Sequence, residues 1–138
     1  MPEIILDENP ADTDIQILED GVTRYGRNLS QGDARPLACW IRQDGQLRGG
    51  VCGRTELGRL FIQYLWVDEA QRGQGWASAL LNQIEAAARE RGCRDALIET
   101  LLDPVAELYQ RRGYQVLACI PDWVGRFSRT ILCKPLQD

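Results

Sequence analysis

The 138-residue sequence predicts one α/β domain, residues 1–138, with a mixed six- to seven-stranded sheet flanked by helices. Two observations carry most of this expectation. Short alternating segments joined by Asp44-Gly45 and Leu57-Gly58 predict an antiparallel meander. A helical stripe then follows one strand and precedes another, which predicts a right-handed parallel crossover. The hydrophobic fraction of 44% suffices for a core at this length.

Glu3 to Asp7 is a short apolar run suited to a first strand. After Asn9-Pro10, residues Ile15, Leu18, Val22, Tyr25 and Leu29 recur at helical spacing. Gly21 and Gly26 weaken that helix and leave a break into two open. Leu37, Cys39 and Ile41 alternate with Ala38, Trp40 and Arg42 in a second strand. Leu47 to Thr55 and Leu60 to Val67 follow as the third and fourth.

The period then changes. Ala77, Leu80, Leu81, Ile84, Ala87 and Ala88 define an amphipathic helix that Gly92 ends. Ala96-Leu97-Ile98 is a short buried fifth strand. A further helix runs from Pro104, a good first-turn residue, to Arg112, where Gly113 stops it. Tyr114–Ile120 and Phe127–Cys133 close the sheet, for the order βαβββαβαββ.

Composition removes several chemistries. There is no histidine, which excludes Ser-His-Asp and Cys-His nucleophile systems, HExxH zinc sites and imidazole bases. Lys134 is the only lysine, so Schiff-base chemistry is disfavoured. The five cysteines (Cys39, Cys52, Cys93, Cys119, Cys133) contain no CxxC pair and are expected to pack as small hydrophobes, with no metal bound. A net charge of −4 argues against a nucleic-acid partner. With neither a signal-peptide pattern nor an apolar run near 20 residues, a cytoplasmic protein with no membrane partner is expected.

The sharpest local signal is Arg72-Gly73-Gln74-Gly75-Trp76-Ala77, between a strand and a helix. The first helical turn presents unpaired N–H groups and the positive end of the macrodipole. Small residues there let main chain approach an anion such as a diphosphate, although a plain left-handed turn reads the same way. GxxxxGK[ST] is absent, as is the full GxGxxG with its acidic ribose partner.

Leu65-Trp66-Val67-Asp68-Glu69, Arg72–Ala77 and Ala79-Leu80-Leu81 together resemble the [R/Q]xxGx[G/A] acetyl-CoA signature of the GNAT acetyltransferases. Glu99-Thr100 and Leu108–Tyr114 resemble that superfamily's second signature, and the element order resembles its fold over nearly the whole chain. The resemblance implies that parallel strands four and five splay apart, usually with a bulge in strand four. It implies acetyl-CoA as co-substrate, its pantetheine arm along the backbone of Leu65, Trp66 and Val67, and its diphosphate on Arg72, Gly73, Gln74, Gly75, Trp76 and Ala77. Tyr109 matches the family's general acid, with packing against the sheet as the competing role.

Gln63 stands where some relatives place an acid, so the base is not assigned; Glu99 and Glu56 are the remaining acids near strand ends. Leu102 replaces an asparagine that many relatives use on the cofactor. The resemblance implies that the acceptor is a primary amine of a small molecule or peptide, which attacks the thioester directly in a ternary complex. Its selection falls to the first helix region, the third strand's edge and the segment from Ile120 to Ser128, where Trp123, Arg126 and Phe127 lie. A non-catalytic acyl-CoA-binding or interaction module on the same fold is the alternative. A homodimer is compatible with either.

Overall fold

The stripe from Ile15 to Leu29 lies on one unbroken helix, α1 (Asp12–Ser30), in the computed structural model, which describes residues 1–137. Gly21 and Gly26 each cost about 1 kcal/mol against alanine, but neither removes an N–H, so the ladder continues through both. Asp12 and Asp14 in the first turn and Arg27 in the last complement the helix dipole. Gln31 closes the helix in the left-handed region (φ 55°) with its N–H on the Arg27 carbonyl. Residues 1–33 make one compact unit, and a second begins at Ala34.

The first strand expected at Glu3–Asp7 does not form. Residues 1–7 have no ladder partner, and Ile4, Ile5 and Leu6 are exposed. Apolar side chains alone do not make a strand, because its main chain finds partners only in a neighbour. The sheet therefore has six strands.

Those strands are β1 (Arg35–Gln43), β2 (Gln46–Glu56), β3 (Arg59–Val67), β4 (Asp95–Thr100), β5 (Gln115–Val124) and β6 (Phe127–Pro135). Their spatial order is β1-β2-β3-β4-β6-β5, with β3–β4 the one parallel pair. Asp44-Gly45 and Leu57-Gly58 all take positive φ, the geometry that two-residue hairpin turns require. The crossover helix α2 (Trp76–Glu90) ends at Gly92 (φ 83°), where the Cys93 N–H reaches back to the Ala88 carbonyl. Helix α3 (Asp103–Arg111) ends before Gly113 (φ 97°).

Helix α2 lays Leu80, Leu81, Ile84 and Ala88 on a sheet face made by Val51, Leu60, Ile62, Ala96, Ile98 and Leu132. Each fully buried aliphatic side chain contributes about 1.5–3 kcal/mol. Of the cysteines only Cys93 is buried; Cys39, Cys52 and Cys133 are half-buried and Cys119 is exposed. Uniform core packing was thus too broad an expectation, because Cys119 sits on β5, every residue of which is exposed.

One irregularity positions everything that follows. Cys52 pairs with Tyr64 but Gly53 pairs with Ile62, so Gln63 is an extra residue bulged out of β3. At this point the β2 and β3 backbones come so close that a Cβ on Gly53 would overlap the Phe61 carbonyl oxygen and lie 2.9 Å from its carbon. Gly53→Ala is accordingly expected to cost about 2–3 kcal/mol, a backbone clash no rotamer relieves. Urea denaturation checks this; an unchanged midpoint would contradict the close approach.

Candidate active site

Parallel pairing between β3 and β4 covers only Arg59–Asp95, Leu60–Ala96 and Phe61–Leu97. Both strands continue, to Val67 and Thr100, without further pairing to each other. The parting starts at the Gln63 bulge, while β2 still holds the other edge of β3 as far as Gly49–Val67. One edge of β3 is therefore unpaired main chain, able to take an extended ligand as an added strand.

A cavity of about 850 Å³ occupies the gap, within the range of small-molecule sites. Its walls are Ile62–Val67 of β3, the start of α2, the Ile98–Thr100 end of β4, and Leu102, Val105, Leu108 and Tyr109 around α3.

At the start of α2, Gly73 (φ 83°) and Gly75 (φ 79°) turn the chain through the left-handed region. The space a Cβ would fill at either is open, so a ligand can reach their main chain directly. Among the described residues no side chain caps α2, and the first bond of this turn is from the Ala79 N–H to the Gly75 carbonyl at 3.1 Å. The amides of Trp76, Ala77 and Ser78 are left at the positive end of the helix dipole, an arrangement suited to an anion. Arg72 directs its Nε–H onto the Val67 carbonyl at 3.2 Å, tying the loop to the end of β3. Gln71 lines the same cavity with a buried amide oxygen that has no hydrogen-bond partner among the described residues, a group a bound ligand could satisfy.

Tyr109, in the last turn of α3, is buried and lines the cavity. Burial raises its pKa above the ordinary tyrosine value, so at neutral pH the hydroxyl holds its proton and is a donor. Among the described residues the hydroxyl has no hydrogen-bond partner; the ring faces that of Tyr114, 5.9 Å between centroids. Tyr114 is buried behind it, outside the cavity lining.

Glu99 sits where β4 leaves β3. Its carboxylate accepts from Arg129 Nε at 2.8 Å and from the same residue's Nη2. Arg129 in turn lies over the Trp123 ring at 4.9 Å. A second cavity of about 410 Å³, lined by Arg54, Phe61 and Leu97, shares Ile62, Gln63 and Glu99 with the first. The two cavities thus share a wall at the gap in the sheet, and Glu99 is the one carboxylate in that junction.

The structure brings Leu65, Trp66, Val67, Arg72, Gly73, Gly75, Trp76, Ala77, Glu99 and Tyr109 to a single cavity. Gln74 is exposed and outside the lining. Glu56 is also outside it, at the far end of β2 opposite Arg59, holding Arg54 at 3.1 Å. Sequence reasoning missed Ser78, although the rule that selected Trp76 and Ala77 extends one amide further. It also missed Val105 and Leu108, whose helical spacing with Tyr109 was the available signal. Nothing local marked Gln71 or Arg129. Among the described residues no three of His, Cys, Asp or Glu cluster as metal ligands, and no helix is long and apolar enough to cross a membrane.

Comparison with known proteins places this geometry among relatives. Residues 3–114 match the Acetyltransferase (GNAT) family. The sequence is 39% identical over 111 residues to blasticidin-S acetyltransferase of Streptomyces morookaense, covering 75% of this chain and 80% of that protein. A crystal structure of a protein from Agrobacterium tumefaciens superposes with a TM-score of 0.88 at 32% identity, over 97% of this chain and 99% of the other. An acetyltransferase from Bacillus cereus gives a TM-score of 0.78 at 26% identity, over 95% and 97%.

The buried tyrosine pair offers a check on the cavity wall. Burial, joined at Tyr114 by the Glu85 carboxylate, favours the neutral hydroxyls in the folded state. Unfolded tyrosines ionise near pH 10, so above about pH 10 the unfolded state releases protons that the folded state keeps, and stability falls as pH rises. Alkaline absorbance titration is expected to lose a late-ionising component in Tyr109→Phe; loss of an ordinary one would contradict the burial.

Proposed function

The chain belongs to the acetyltransferase (GNAT) family, and from that premise we propose that it moves an acetyl group from acetyl-CoA directly onto a primary amine of a small molecule or peptide. One observation carries this reading. The uncapped start of α2, the unpaired edge of β3 and Tyr109 line a single cavity.

The residues present fit the carrier. Amides from Gly73 to Ser78 would hold the diphosphate, and the main chain of Leu65–Val67 would hold the pantetheine arm. When bound, acetyl-CoA supplies an acyl group already activated as a thioester. The chain's own tasks are orientation and proton transfer.

An alkyl ammonium of pKa about 10.4 is charged at neutral pH, and freeing its lone pair costs about 4–5 kcal/mol without help. Glu99, at the junction of the two cavities, is the carboxylate placed to draw that proton away, with Arg129 holding it in position. The second cavity is the amine's approach, where Phe61 and Leu97 offer apolar contact. A main-chain N–H near Leu65 would polarise the acyl carbonyl. Tyr109 would give its proton to the departing sulfur, whose parent thiol has a pKa of about 8.5.

The test is thiol release from acetyl-CoA over a panel of amines headed by blasticidin S, the compound in one relative's name. Turnover is expected with at least one amine, with kcat about 10²-fold lower in Tyr109→Phe and Glu99→Gln. Gly75→Val is expected to weaken coenzyme A binding in calorimetry about 10-fold or more, since it strains a left-handed residue and crowds the cradle. Binding without turnover on any amine would assign the cavity to a non-catalytic acyl-CoA-binding module. No binding at millimolar ligand would overturn the proposal entirely.

A further inference from the structure

Helix α2 carries a charged side chain where its neighbours on that face are apolar: Glu85 is 1% exposed. Its Oε1 accepts from Lys134 Nζ of β6 at 2.7 Å, and its Oε2 accepts from the Tyr114 hydroxyl at 2.8 Å. Lys134 is the only lysine of the chain, and its ammonium also lies 5.7 Å from the Tyr114 ring centre. Its stem passes Gly113, where a Cβ would sit 3.4 Å from Lys134 Cε. From α2, Arg112 is held by Asn82 and the Ser78 carbonyl. Thus α2 and β6 converge on the junction between α3 and β5.

A buried ion pair of this kind is seldom more stabilising than apolar packing of equal volume. What it supplies that packing does not is a fixed position, here for the Tyr114 ring. That ring rests against Tyr109, whose hydroxyl has no hydrogen-bond partner among the described residues. With no bond at its tip, Tyr109 is aimed by what its ring leans on, and its place in the last turn of a nine-residue helix makes independent rigidity poor.

We propose that the Glu85–Lys134 pair, acting through Tyr114, positions the Tyr109 hydroxyl in the cavity. Tyr114, Glu85 and Lys134 are positioning residues: none lines the cavity, and their effect passes through the Tyr114–Tyr109 contact, where the rings meet and the Tyr114 N–H donates to the Tyr109 carbonyl at 3.1 Å. The inference rests on the reading of Tyr109 as the proton donor.

The first test needs no acetyl-CoA. In ligand-free protein carrying 3-fluorotyrosine, the Tyr109 resonance is identified by its loss in Tyr109→Phe. It is expected to shift and broaden in Tyr114→Phe and in Lys134→Met, and to stay near its native position in Lys134→Arg. The second test is a double-mutant cycle. Tyr114→Phe is expected to lower kcat about 5- to 10-fold with KM for acetyl-CoA unchanged within 2-fold, and to have less than a 2-fold effect when Tyr109 is already phenylalanine. An unmoved Tyr109 resonance, or effects of the two substitutions that simply multiply, would overturn the inference. If native protein turned over no amine while the resonance moved as expected, the proton-donor reading would fail and the positioning would stand. Should Lys134→Met fail to fold, Tyr114→Phe alone decides, since it keeps the ring and the ion pair.

Discussion

Two parallel strands that part after three residue pairs make the rest of this molecule possible. The parting has a local cause. At Gly53 the β2 backbone approaches Phe61 more closely than any side chain permits, and the next residue but one on β3, Gln63, is extruded as a bulge. Beyond it β3 follows β2 and leaves β4, which follows β6. Had the β3–β4 ladder continued to Val67, the edge exposed to the cavity would be consumed by β4, and Tyr109 would face a closed sheet.

The site's electrostatics are divided between main chain and side chain. The proposed anion cradle is made of amides and a helix dipole, and the one arginine in the loop is directed at the Val67 carbonyl. On that proposal, a protein of net charge −4 would hold a diphosphate without a basic patch. On the other side of the gap the charge is a side-chain carboxylate, Glu99, held by Arg129. The two ends of the proposed reaction thus present opposite potentials to a phosphorylated carrier and a cationic amine.

Helix α2 joins these features to the core. Its first turn is the cradle, and its apolar stripe covers the sheet. Its buried Glu85 reaches the lysine of β6 and the tyrosine behind Tyr109. Under the proposed reading, a single helix would set the carrier's phosphates and the wall behind Tyr109 in one frame, and so let a short α3 present its hydroxyl reproducibly.

Periodicity, turn residues and short motifs were enough to read the meander, the crossover helix with its Gly92 stop, the glycine turn from Arg72 to Ala77 that opens α2, and the place of Tyr109 on the helix after β4. Each is local: alternation, a 3.6-residue stripe, or glycine where the backbone needs positive φ. The strand expected at Glu3–Asp7 failed for the complementary reason, since a strand exists only with a neighbour and no local pattern reports one. Glu56 and Glu99 looked alike as acids near strand ends, and only the register of β2, β3 and β4 put one at the junction and the other at a distant turn. Arg129, Gln71 and the Glu85–Lys134–Tyr114 chain depend on contacts between residues far apart along the polypeptide. Such contacts come from how strands part and helices dock, so they belong to the folded molecule and leave no mark on its linear pattern.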